Sequence, residues 1–146
     1  MDGKPEGVGL GVQSICDEVV LPRPADVQAR REIQLLKELE LIIGAVTIGQ
    51  RTADNKGIFE TGCAAGAIPT TAADMKSGAG GYNIGPCIVP TYIAALSFDP
   101  KGTGCTGSYV DTTNYDTCYN VVRDATTGRI TVSALAELGE TISVTR

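Results

Sequence analysis

DVQARREIQLLKELELIIGAVTI, residues 26–48, is the stretch whose periodicity decides the fold class. Pro24 and Asp26 mark its start, the Asp26 carboxylate being placed to accept backbone N–H bonds as an N-cap. Gln28, Ala29, Arg30, Arg31 and Glu32 favour helix intrinsically. Leu35, Leu39, Ile42 and Val46 then recur at i, i+4, i+7 and i+11, with Leu36 and Ile43 beside them. This spacing predicts an amphipathic helix over 26–48, ended near Gly49, with Arg30, Arg31, Lys37, Glu38 and Glu40 available for the wet side. The apolar stripe has two readings. It covers a sheet, the reading adopted here, or it is a seam between helices, for which three or more heptads are expected and fewer are visible.

Working outward toward the C-terminus, residues 51–90 are rich in Gly, Ala, Thr and Pro and poor in periodicity. A structureless loop of that length is unusual unless something holds it. Residues 90–96 read as one helical turn or an extended strap. Beyond them, 117–123 and 129–134 flank Asp124-Ala125-Thr126-Thr127-Gly128, a five-residue hairpin connection with glycine at its end. Ile130, Val132 and Ala134 alternate with polar residues, and Ile142 and Val144 repeat that period in a third strand over 140–145. Three strands need a cover, and the helix is the long amphipathic element available. Helix first and strands last predicts an α+β domain over 26–146, in which Leu35, Leu39, Ile42 and Val46 pack on Ile130, Val132 and Ile142. Residues 1–25, punctuated by glycine and proline, read as an irregular leader or a non-native extension.

Composition narrows the function classes. Net charge is −5 with no long basic run, which disfavours phosphate neutralisation and hence nucleic-acid binding. Histidine is absent, removing the commonest general base, nucleophile partner and nitrogen metal ligand. No catalytic residue and no cofactor stand out; a small carboxylate-dependent hydrolase is the weakest of the readings. The longest apolar run, Leu41 to Gly49, is about half of what a bilayer span requires.

The five cysteines, Cys16, Cys63, Cys87, Cys105 and Cys118, contain no CxxC pair. Their wide spacing in Gly- and Thr-rich segments fits disulfides and an oxidising compartment. Cys63 and Cys87 lie near the two ends of the aperiodic stretch, where a bridge closing it contributes about 3 kcal/mol, so they are paired here. Cys16 lies apart from the others and is read as the unpaired thiol. Asp99, Asp111 and Asp116 are loop carboxylates of the kind calcium uses, but their order follows no EF-hand loop, and a calcium ion near them is left open.

Two segments carry a resemblance. Ala29-Arg30-Arg31-Glu32-Ile33-Gln34-Leu35-Leu36 resembles the later half of the N-terminal helix of type IV pilins and the pseudopilins of type II secretion. Val89-Pro90-Thr91-Tyr92-Ile93 through Phe98-Asp99-Pro100 is similar to the strap that leads into the sheet in those proteins, with Ser97 where a proline is usual. The hairpin over 119–134 is likewise similar. The hydrophobic half-helix of that family is not among residues 1–25. The resemblance implies a subunit of an extracellular filament whose partners are other pilin-like subunits, with no chemistry of its own. It also implies that Cys105 and Cys118 close a surface loop on the sheet. That loop, with Tyr109, Asn114 and Tyr115, either makes subunit contacts or is a stapled, solvated loop. The alternative function is a free secreted binding module with disulfide-braced loops.

Overall fold

The computed structural model describes residues 24–100, 104–136 and 139–146, so Cys16 lies outside the described residues. The chain divides into two compact units, Met1–Arg31 and Glu32–Arg146. Its elements are the helix α1 (Pro24–Asp54), β1 (Ala73–Lys76), a one-turn helix α2 (Gly85–Ile88), β2 (Ser108–Asp111), β3 (Asn114–Arg123), β4 (Ile130–Leu135) and β5 (Thr141–Thr145). The architecture is α+β, a long helix followed by an antiparallel sheet.

The helix passes through Gly49 and ends at Asp54. What stops it is the pair Lys56 and Gly57, both with positive φ (58° and 89°). The Gly57 N–H reaches back to the Thr52 carbonyl at 2.8 Å, satisfying a carbonyl that the helix leaves open.

The sheet has the order β1-β3-β4-β5, with β2 also paired to β3. β3 is its axis. Residues 115, 117, 119 and 121 of this ten-residue strand are all buried, and each residue between them is more exposed, the signature of one covered face. Val121 faces Ala73 of β1 on one side and Val132 of β4 on the other, and Val132 faces Val144 of β5. The β3–β4 hairpin is the expected one: the Asp124 carboxylate accepts from the N–H groups of Thr126 and Thr127, and Gly128 takes φ 72°.

The core joins Leu41, Ala45 and Ile48 of α1 to Met75, Tyr119, Val121, Val132 and Ala134 of the sheet, with Phe59, Ile68, Tyr82, Ile84, Cys87 and Ile88 from the connection between them. Ile130, Ile142 and Val144 pack at its margin. So Val132, Ile130 and Ile142 sit where the sequence places them, but the helix presents a different face. Leu35, Leu39, Ile42 and Val46 are 63, 53, 41 and 41% exposed, and Leu36 and Ile43 are exposed with them. The expected packing of that stripe on the sheet is therefore corrected. At 3.6 residues per turn, positions 41, 45 and 48 are centred about 120° around the helix from 35, 39, 42 and 46. The helix is apolar on two sides. Ala45 allows the backbone close to the sheet, and Lys37 and Arg51, on the same side, find partners there.

Candidate functional site

The aperiodic stretch between α1 and the strap is organised by one guanidinium. Arg51 donates from Nε to Phe59 O at 2.9 Å, from Nη1 to Cys87 O at 2.6 Å and from Nη2 to Thr61 O at 2.6 Å. It also lies over the rings of Phe59 and Tyr92. A planar fork of donors is the group able to gather three carbonyls from separate loop positions. Cys63 and Cys87 are bonded to each other, closing the same stretch, as the sequence predicts. Within it, β1 and α2 had no sequence signal: Ala73-Asp-Met-Lys76 is a strand because it lies along β3, not because of its own alternation.

Cys105 and Cys118 are also joined, as the resemblance implies. The loop between them is not uniformly exposed. Asn114 is exposed and Tyr109 half-buried, but Tyr115 is 3% exposed, so its expected role in surface contact is corrected. Its hydroxyl accepts from Gly85 N and donates to Asn83 Oδ1, each at 2.8 Å. Burial pushes its pKa up to about 12. Gly85 is required there, since a Cβ would sit 2.8 Å from the Tyr115 ring. Tyr115 anchors the sheet to α2 rather than meeting a partner.

The three loop aspartates go separate ways. Asp111 is exposed and accepts from Thr113 N and Oγ1, which together hold its pKa below the ordinary value. Asp116 Oδ1 accepts from Cys118 N at 3.0 Å. Asp99 is 1% exposed and pairs with Lys37. Among the described residues, the one cluster with metal-ligand spacing is Cys105, Asp116 and Cys118, whose two sulfurs are spent on each other.

A buried polar seam runs beneath the helix. Lys37 Nζ lies 2.9 Å from Asp99 Oδ2, with both side chains under 4% exposed, and Lys37 also reaches Leu135 O at 3.4 Å. Lys37 therefore does not belong to the wet side of the helix, where the sequence reading put it. The Asp99 backbone is fixed on both sides: its N–H donates to Thr117 O, and its carbonyl accepts from Gly107 N, each at 3.0 Å. One turn along α1 from Lys37, Glu40 accepts the Tyr119 hydroxyl proton. Burial first, and the Glu40 carboxylate second, raise the Tyr119 pKa, so this phenol stays a donor. Ile33, Leu36, Lys37, Glu40, Asp99 and Pro100 line one hollow of about 300 Å³ beside the pair.

Another side of α1 carries Leu35, Leu36, Leu39, Ile42, Ile43 and Val46 as one exposed apolar ribbon. Single exposed leucines are ordinary; six large apolar side chains in three turns of one helix are a contiguous patch. No helix among the described residues is long and apolar enough to cross a membrane. Comparison with protein-family models, with curated proteins and with solved structures finds no match to this chain.

Proposed function

We propose that this chain is a structural subunit of a pilin-like extracellular filament, in which the ribbon on α1 meets neighbouring subunits and the sheet with its stapled loops faces outward. The observation that carries this reading is the ribbon itself, on a helix whose other side already holds the sheet. The stripe that the sequence offers either to a sheet or to a seam lies outside the core, and an interface is its remaining use. The resemblance of residues 29–36 and 89–100 to pilin-like proteins supports the same reading, and the two disulfides are compatible with an oxidising, extracellular setting.

Magnitudes favour an assembly over a pair. Finishing the burial of a half-exposed Leu or Ile is worth on the order of 1 kcal/mol. One ribbon on one neighbour thus gains about as much as association costs in lost freedom, roughly 4–15 kcal/mol. Repetition along a filament, where each subunit touches several others, makes the total favourable.

The test is sedimentation velocity of the chain over a wide concentration range, beside a Leu39→Glu/Val46→Glu variant. The expected result is weak, concentration-dependent association that the variant loses while keeping its thermal midpoint. A wild-type chain that stays monomeric throughout, or a variant that associates equally, contradicts the proposal.

A further inference from the structure

Lys37 and Asp99 are an unusual pair. Each is nearly inaccessible to water, their polar atoms are 2.9 Å apart, and the Asp99 backbone is clamped between Thr117 and Gly107. A Cβ on Gly107 would strike the Asp99 backbone, so the approach is built to be close. Glu40 lines the same hollow one turn along the helix, oriented by Tyr119. An amine held against a carboxyl, away from bulk water, with a second carboxyl beside them, is the arrangement that forms an amide.

We propose that Lys37 and Asp99 condense to an intramolecular isopeptide bond that covalently ties α1 to the segment leading into β2. In the first step the proton of the ion pair passes from Nζ to the Asp99 carboxylate, giving a neutral amine and a neutral acid. The Nζ lone pair attacks Asp99 Cγ and the Nζ–Cγ bond forms. The Cγ–OH bond breaks, Nζ gives up one proton, and that proton and the hydroxyl leave as one water. No oxidant, reductant or cofactor enters. Glu40 carries the proton from nitrogen to the departing oxygen. Fixing both reactants replaces a bimolecular step by an intramolecular one, with effective molarities on the order of 10⁵ M or more where alignment is good. The hollow beside the pair gives the released water somewhere to go.

Asp99 is followed by Pro100, which has no N–H, so this aspartate cannot lose water by cyclising onto the next backbone nitrogen. A missing water at Asp99 therefore reports on Lys37. This inference concerns the interior of one subunit and stands or falls apart from the filament proposal.

The experiment is intact-mass measurement of the purified full chain under denaturing, reducing conditions, followed by peptide mapping. The expected result is a mass one water short, with the peptides containing Lys37 and Asp99 recovered as one branched species. Lys37→Arg and Asp99→Ala each restore the full mass. Glu40→Gln, checked for folding by circular dichroism, retains the ion pair and is expected to lose most of the cross-link. Full mass with separate Lys37 and Asp99 peptides in the wild-type chain overturns the proposal. A cross-link that forms equally in Glu40→Gln overturns the role given to Glu40.

Discussion

Lys37 and Arg51 sit on the side of α1 that meets the sheet, and neither could be read from periodicity, because charged residues in a helix are assigned to water by default. What betrays them is the company they keep. Lys37 lies between Leu36 and Glu38 yet is 2% exposed, because Asp99 is carried to it by backbone pairing with β3 from 62 positions away (99 − 37). A buried pair depends on both members. Asp99→Leu, which removes the ion pair and the cross-link alike, should lower stability by about 3–5 kcal/mol, read by urea denaturation. Arg51→Lys keeps the charge but cannot reach three carbonyls. It should cost about 2–3 kcal/mol, at the upper end for a charged hydrogen-bond donor. An Arg51→Lys variant as stable as the wild type would mean the guanidinium does not organise residues 59–61 and 87.

The helix was legible as a helix, and its length nearly so, since helix-forming residues and an apolar stripe agree over 26–48. Its facing was not legible. Leu41, Ala45 and Ile48 make a stripe as regular as Leu35, Leu39, Ile42 and Val46, and hydrophobicity alone does not rank them. The small Ala45 was the usable signal, because close packing on a sheet favours a small residue at the contact. Mutations separate the two faces. Leu41→Ala should cost about 2–5 kcal/mol by opening a cavity. Val46→Ala should stay within about 0.5 kcal/mol in the dilute chain, as surface substitutions do. Equal losses at the two positions, measured by thermal or urea unfolding, would refute the assigned facing. The strands after Thr117 were legible because each half-buried strand alternates. β1 was not, since its ADMK sequence has two charges in four residues and owes its strand state to β3.

Three tyrosines with raised pKa values make the molecule sensitive to alkali. Tyr82 is pushed up to about 12 mainly by burial and then by the Glu60 carboxylate, and Tyr115 to about 12 by burial. Tyr119 is shifted in the same direction. Each phenol stays protonated in the folded chain where the unfolded chain, with the ordinary value of 10, has begun to ionise. The unfolded state then binds fewer protons, so stability falls as pH rises. The contribution is fully present below pH 10 and is lost between about 10 and 12, which ultraviolet titration of the phenols against unfolding will follow. Stability unchanged to pH 12 contradicts this. The two disulfides, joining cysteines 24 and 13 positions apart, each constrain the unfolded chain by about 3 kcal/mol. Only one of them, Cys63–Cys87, was derivable from the need to close the aperiodic stretch; the other came through the resemblance.

The central claim is that α1 carries a sheet on one side and a subunit interface on the other. Thiol labelling of a Val46→Cys variant, with the unsubstituted chain as the reference for native thiols, tests it most directly. The expected result is fast labelling at position 46 in dilute solution and protection that grows with protein concentration. Slow labelling in the dilute chain, or a rate that concentration does not change, would contradict it.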